Sequence, residues 1–213
     1  AYNNIVAAPK EAGGVKLDTV ATVTGPATGL LTGERAALNF LMRLSGVATH
    51  VRRITDRAPG LKLVDTRKST PLLRGLEKAA VRHGGAGNHR FGLFDGVMIK
   101  DNHIVAAGGI RAAIDRVRAS VHPLLRVEVE VEDLDELVQA LDAGADDVLL
   151  DNMDDIMLAE AVRITAGRAR LEVSGGITPE RLPVLRALGV HRVSMGGLIH
   201  QARWVDLSLR VLP

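Results

Sequence analysis

The sequence predicts an α/β fold built on a parallel sheet, and three observations carry that expectation. Short apolar, β-rich runs recur at 61–65 (LKLVD), 96–100 (GVMIK), 126–132 (RVEVEVE), 147–151 (DVLLD), 170–174 (RLEVS) and 191–195 (HRVSM). Helical patterns lie between most of them, among them LDELVQALDAGA, MLAEAVRITAG and PERLPVLRALG, the last two closing on glycine. Each run also ends in polar residues or glycines. Strands alternating with helices mean βαβ units and a parallel sheet. Six such units suit a TIM-like α/β barrel better than a short doubly wound sheet, and the pattern alone leaves both open.

Taken in order, residues 1–34 read differently from the rest. VKLDTVATVTGPATG alternates around Val20 and Val23 and ends in Gly25-Pro26, the pattern of an edge strand and a turn. This stretch is too short to bury a core of its own, so it is expected to be a domain fragment or an appendage. The barrel domain is then 35–213. A long helix is expected from Thr32, with Thr32 as N-cap and Glu34 in the first turn. Leu38, Leu41, Met42 and Ser45 keep its spacing, and it should run with a break near Gly46 to about Arg57.

Composition sets the limits. In 213 residues, 46% are hydrophobic and 24% charged, which is ordinary for one large globular domain. Aromatics are only 2%, so the core must come from Ala, Val, Leu and Ile. The net charge of +2 is small and scattered, and stacking aromatics are missing, so a nucleic-acid partner is not expected. No apolar run reaches the roughly 20 residues of a membrane span, and the first residues, AYNNIVAAPKEAGG, have no targeting pattern. With no cysteine there is neither a disulfide framework nor a thiolate site, which allows a reducing cytoplasm.

The strand ends carry, in order, Asp65-Thr66-Arg67-Lys68, Lys100-Asp101-Asn102-His103, Glu128-Val129-Glu130, Asp151-Asn152, Ser174-Gly175-Gly176 and Met195-Gly196-Gly197. In parallel α/β folds the loops after strand C-termini converge on one face, which holds the active site. Arg67 can grip a carboxylate or phosphate with two parallel bonds, and Lys68 adds a mobile point charge. His89 and Arg90 follow a glycine-rich stretch that has neither a dinucleotide nor a Walker spacing. His89 and His103 lack a third ligand at metal-like spacing. Lys100 ends an apolar strand, where an unpaired lysine is costly. Glu128 and Glu130 share one strand face. With Asp151 they can hold Mg²⁺ or sugar hydroxyls, or one can pair with Lys100 or an arginine across the barrel. SGGITPERL reads as strand, glycine loop and helix start, with Thr178 as N-cap and Pro179 at the first helical position. Five potential cations and two glycine loops point to a phosphorylated sugar and an organic acid.

LLTGERAALNFLMRLSGVAT, DTRKSTPLLRGLEKAAVRHGGAGNHRFGLFDGVMIKDNH, VEVEVEDLDEL, VLLDNM, EVSGGIT and MGGLIH together resemble the quinolinate phosphoribosyltransferase family, in order, from Thr22 to the C-terminus. The resemblance implies an incomplete α/β barrel with an N-terminal α/β lobe, of which residues 1–34 would be a remnant, working as a homodimer or larger. It implies the transfer of phosphoribosyl from phosphoribosyl pyrophosphate to quinolinate with Mg²⁺, giving nicotinate mononucleotide, pyrophosphate and CO₂. Matched by motif, Arg35, Arg67, His89, Arg90 and Lys100 would hold the quinolinate carboxylates, and Lys68 would face the pyrophosphate. Glu130 and Asp151 would bind ribose hydroxyls or Mg²⁺, the metal directly or through water, and Ser174, Gly175 and Gly196 the 5′-phosphate. Lys68, Lys100, Glu130 and Asp151 are the catalytic candidates.

The chain departs from the family pattern in two places. AYNNIVAAPKEAGGVKLD stands where the family has a much longer segment, and MGGLIH replaces a pattern with Val before the glycine and Thr before the histidine. Two other readings use the same scaffold: a paralogous pyrophosphorylase of the molybdenum-transport-associated type, and a catalytically dead ligand-binding chain. Retention of the cations and acids argues against the latter.

Overall fold

The computed structural model describes residues 2–9 and 19–211. Six parallel strands form the main sheet: β3 (Leu63–Val64), β4 (Val97–Ile99), β5 (Val127–Val131), β6 (Asp147–Asp151), β7 (Arg170–Ser174) and β8 (Arg192–Ser194), in the order β3-β8-β7-β6-β5-β4. All six expected strands are present, and the ladder ends at β3 and β4 without joining them. The barrel is incomplete. Beside the free edge of β3, Gly87 donates to Leu63 O at 2.8 Å and accepts from the Asp65 amide at 3.2 Å, so the chain at 86–88 covers that edge.

Helices α2 (Arg74–His83), α3 (Asp101–Ala107), α4 (Ile110–Ser120), α5 (Leu134–Asp142), α6 (Asp155–Thr165), α7 (Leu182–Leu188) and α8 (Gly197–His200) fill the connections. Strand β5 shows how the layers are built. Val127, Val129 and Val131 are fully buried, in the same core as Leu137 and Ala140 of α5. The alternate positions, Glu128 and Glu130, face the bore, because side chains alternate along a strand. Register extends this polar face across the sheet, with Glu128 opposite Asp147, Glu130 opposite Leu149, and Leu149 opposite Glu172. The bore is charged where most small barrels are apolar.

The helix α1 runs unbroken from Ala27 to Thr55, which moves its expected start five residues earlier and removes the expected break. Pro26 occupies the N-cap with φ −59°, and no side-chain cap forms there. Thr32 is no cap either; its hydroxyl donates back to Thr28 O inside the helix. Gly46 does not interrupt the helix but lets a loop approach it: a Cβ there would lie 2.1 Å from Arg203 O. Helix α7 likewise starts later than expected, at Leu182, because Thr178 O accepts from the Arg181 amide in a preceding turn.

A second, antiparallel sheet has the order β2-β1-β9, with β1 at Tyr2–Pro9, β2 at Ala21–Pro26 and β9 at Leu207–Val211. The edge strand expected around Val20 and Val23 is β2. Leu207 packs with Leu38 and Met42 of α1, so the C-terminal strand shares this layer, and α1 runs through position 34 without interruption.

Gly46→Ala should lower stability by roughly 1–3 kcal/mol through overpacking. Gly33→Ala on the same helix meets nothing within 4 Å and should raise it by up to about 1 kcal/mol. Urea denaturation of the two variants distinguishes the cases; equal effects would remove the steric account of Gly46.

Candidate active site

A cavity of about 290 Å³ opens at the C-terminal ends of the strands. Thr66, Arg67, Lys68, His89, Arg90, Met98, Lys100, Glu130, Leu149, Asp151, Glu172, Ser174 and Ser194 line it. Eight of the residues expected from the sequence thus meet in one place: Arg67, Lys68, His89, Arg90, Lys100, Glu130, Asp151 and Ser174. Three do not line it. Arg35 is exposed on α1. Gly175 opens on a neighbouring cleft with Asn152, Gly176 and Arg181. Gly196 packs against the Lys68 stem, where a Cβ would approach Lys68 Cδ to 3.2 Å. Gly175 has φ +87°, and a Cβ would meet Asn152 Oδ1 at 2.1 Å, so only glycine fits there.

Of the alternatives left open for Glu128 and Glu130, the structure shows the ion pairing, and at both residues. Glu130 pairs with Lys100, and Glu128 receives Arg192 from across the barrel at 2.5 Å. Arg192 also bonds Glu172 and lies 3.3 Å from Asp147. His89 Nε2 sits 3.3 Å from both Glu128 Oε2 and Glu172 Oε1. It meets hydrogen-bond geometry with neither, nor does Glu172 Oε1 find another partner. The other ring nitrogen accepts the Arg90 amide at 2.8 Å.

Burial alone would lower the His89 pKa, but Glu128 and Glu172 outweigh it and raise it from 6.5 to about 9. Burial would raise Glu172, yet His89 and Arg192 bring it down from 4.5 to about 2. Arg90 is pushed down by burial and by the adjacent Arg67. Arg67 and Lys68 have no carboxylate within ion-pair distance among the described residues, so the cavity holds unbalanced positive charge on this side. His103, considered as a metal ligand, instead accepts the Lys100 amide at 3.0 Å and caps α3.

Thr66, Glu172 and Ser194 were not anticipated. Glu172 and Ser194 could have been found by extending the period-two reading of RVEVEVE to the neighbouring strands. Thr66 carries no such signal; its hydroxyl accepts the Lys68 amide at 3.0 Å and shapes the turn. A larger cavity, about 610 Å³, lies toward the N-terminal ends of the strands, lined by Lys62, Arg126, Asp147, Arg170 and Arg192 among others, and shares His89 and Arg90 with the first. Burial opposes ionisation of Asp147, but Arg170 and Arg126 hold its pKa below the usual carboxylate value. These bonds close the barrel floor.

His89, Glu128 and Glu172 place ligand atoms within 4.8 Å of one another. Arg192 already pairs with both carboxylates, so this trio suits an internal ion network better than a metal.

An incomplete parallel barrel whose C-terminal mouth gathers acids together with cations that have no carboxylate partner among the described residues defines an anion-handling α/β-barrel enzyme. Comparison with known proteins narrows this. Residues 47–210 match the family model described as quinolinate phosphoribosyl transferase, C-terminal domain. A protein of Bacillus subtilis named probable nicotinate-nucleotide pyrophosphorylase [carboxylating] is 45% identical over 199 residues, covering 92% of this chain and 68% of its own. The human nicotinate-nucleotide pyrophosphorylase [carboxylating] is 42% identical over 204 residues, covering 92% and 69%. The crystal structure of NadC from Streptococcus pyogenes superposes with a TM-score of 0.90 at 37% identity, covering 100% of this chain and 87% of that one. The chain belongs to the quinolinate phosphoribosyltransferase family.

The His89–Glu172 contact has a pH signature. A raised histidine pKa gives stability that is complete below 6.5 and is lost as pH rises through about 9. A depressed glutamate gives stability present above 4.5 and lost as pH falls through about 2. Urea melts at stepped pH should show a plateau between, and His89→Gln should flatten the alkaline limb. An unchanged alkaline limb in that variant would show that His89 is not its source.

Proposed function

We propose that the chain acts as a carboxylating nicotinate-nucleotide pyrophosphorylase, joining quinolinate to phosphoribosyl pyrophosphate and releasing pyrophosphate and CO₂. The observation that carries this reading is the pairing, in one cavity, of unpaired Arg67 and Lys68 with the acids Glu130 and Asp151. A dicarboxylate acceptor needs fixed cations, and a ribose losing pyrophosphate needs nearby carboxylates. The names of the relatives agree with it.

In this reading Arg67, Arg90 and Lys100 hold the two quinolinate carboxylates. Arg67 can do so with two parallel bonds. Both ring nitrogens of His89 face protein groups, so His89 walls the acceptor pocket and keeps Arg90 in place. Lys68 faces the leaving pyrophosphate. Glu130 and Asp151 bind the ribose hydroxyls and favour the positive charge that develops at C1′ as the bond to pyrophosphate breaks. Ser174, Gly175 and Gly196 receive the 5′-phosphate. Glu130 and Asp151 also fit Mg²⁺, directly or through water, because this ion takes one or two carboxylates together with substrate phosphates. Asp151 spends Oδ2 on the Asn152 amide at 2.8 Å and keeps Oδ1. Mg²⁺ would neutralise charge on the pyrophosphate.

The substrates are small molecules. No described helix is long and apolar enough to cross a membrane, and we place the enzyme in the cytoplasm. We propose a homodimer or larger assembly. Arg35 precedes every strand of the parallel sheet and lies on an exposed helix face rather than at one of its strand ends, so it serves a neighbouring subunit's site. The exposed Leu31, Phe40 and Leu41 on the same helix would contribute to that contact.

Incubation with quinolinate, phosphoribosyl pyrophosphate and Mg²⁺ should yield nicotinate mononucleotide, whereas nicotinate as acceptor should not. Arg67→Lys should lose quinolinate binding, since one ammonium cannot replace a two-pronged grip; near-normal affinity in calorimetry would sink the assignment. Mixed Arg35→Ala and Lys100→Ala chains, each inactive alone, should recover about a quarter of wild-type activity after subunit exchange, because half the dimers are hybrids with one intact site. Recovery of nothing despite proven exchange would place Arg35 in its own subunit's site or outside catalysis.

A further inference from the structure

The region of α2 buries charge and exposes apolar side chains. Leu72, just before the helix, is 103% exposed and Leu76 is 45% exposed, while the consecutive Glu77 and Lys78 are 0% and 2% exposed. Buried charges are costly unless each is paired and hydrogen-bonded. Both are. Glu77 accepts the Thr70 amide and the Thr70 hydroxyl, each at 2.8 Å, and Arg43 at 2.7 Å. Lys78 Nζ lies 2.5 Å from Asp65 Oδ1 and donates to His89 O at 2.9 Å. Asp65, itself fully buried, accepts the His89 amide at 2.8 Å and Asn88 Nδ2 at 2.8 Å.

The loop that presents Arg67 and Lys68 is therefore held at both ends, at Asp65 and at Thr70, by neighbouring residues of one helix. The backbone of His89 is gripped on both sides by the same network, its N–H by Asp65 and its C=O by Lys78. None of Asp65, Thr70, Glu77 and Lys78 lines the 290 Å³ cavity. Arg43 continues the chain of bonds to Ile199 O at 3.0 Å and Ala202 O at 2.9 Å, and so ties the clamp to the region of the last barrel loop.

We propose that Glu77 and Lys78, acting through Thr70 and Asp65, are positioning residues that fix the Arg67–Lys68 loop against His89–Arg90, so that the cations form one acceptor pocket. This rests on the reading of the cavity as the quinolinate and phosphoribosyl pyrophosphate site. Helix α2 thus divides its buried face between Glu77 and Lys78, which orient the site, and Ala80 and Val81, which join the apolar core.

The test uses Asp65→Asn combined with Lys78→Met, which removes both charges and leaves no uncompensated ion. The double variant should fold, by circular dichroism, and its His89 amide should exchange with deuterium faster while Val129 in β5 stays protected. Its kcat/KM for quinolinate should fall about tenfold or more, the loss expected when charge-assisted bonds that fix a site are removed, with KM rising more than kcat falls. Unchanged exchange at His89 overturns the proposal, as does faster exchange with unchanged kcat/KM. If the double variant does not fold, Thr70→Val takes its place: faster exchange at Thr70 with a raised KM supports the clamp, and no change in either rejects it. Exchange requires no substrate. A wild-type protein without transferase activity would count against the functional reading, while the exchange result would still decide whether the clamp exists.

Discussion

Charge inside a barrel must be neutralised where it stands, and this constraint organises the molecule. Strand β5 sends two glutamates into the bore, and β6 and β7 add Asp147, Asp151 and Glu172 on the same face. Arg192 answers three of these carboxylates, at Glu128, Glu172 and Asp147. His89 reaches in from the loop before β4 to stand between Glu128 and Glu172. The result is a polar column with graded charge. Its floor is closed by arginines on Asp147, its middle is balanced by Arg192 and His89, and its mouth keeps Arg67 and Lys68 without carboxylate partners among the described residues.

That gradient separates stability from chemistry along one axis. Buried ion pairs stabilise little compared with well-packed apolar groups, but breaking one leaves an expensive unpaired charge. The middle layer thus tolerates change poorly and holds the bore in a single arrangement. The mouth contributes nothing comparable to the fold. Its cations crowd one another, and burial first, then the neighbouring Arg67, pushes the Arg90 pKa down. An arrangement of this kind is complete only with an anion between the charges, which is why the mouth reads as the site and the floor does not. The network around α2 carries the same logic outward, since Asp65 and Glu77 are buried only because Lys78, Thr70 and Arg43 meet them.

The architecture was legible because period and punctuation are local. All six strands of the main sheet, and the polar burst at each strand end, follow from runs of five to seven residues. The expected partners of Glu128 and Glu130 followed from one rule, that like charges on one strand face require cations. Errors arose where a local signal met a tertiary contact. Thr32 looks like a cap, but Pro26 starts α1 earlier and Thr32 bonds back within the helix. Gly46 looks like a break, but the Arg203 carbonyl fills the space a side chain would need. Thr178-Pro179 looks like a helix start, yet a turn intervenes before Leu182.

By itself the sequence determined the alternation of strands and helices, the polar strand ends, and hence the family and the identity of most cavity residues. Side-chain alternation and βαβ handedness act over short stretches, so the residues alone are enough to specify them. Tertiary structure decided what no local pattern encodes. It showed that Arg192, in a strand near the C-terminus, pairs with acids from three other strands. It showed that His89 turns both ring nitrogens toward the protein. It also placed Glu77 and Lys78 inside while Leu76 faces out. Each of these depends on the distance between residues far apart in the chain, and a charge is buried or exposed only in relation to the partner that distance supplies.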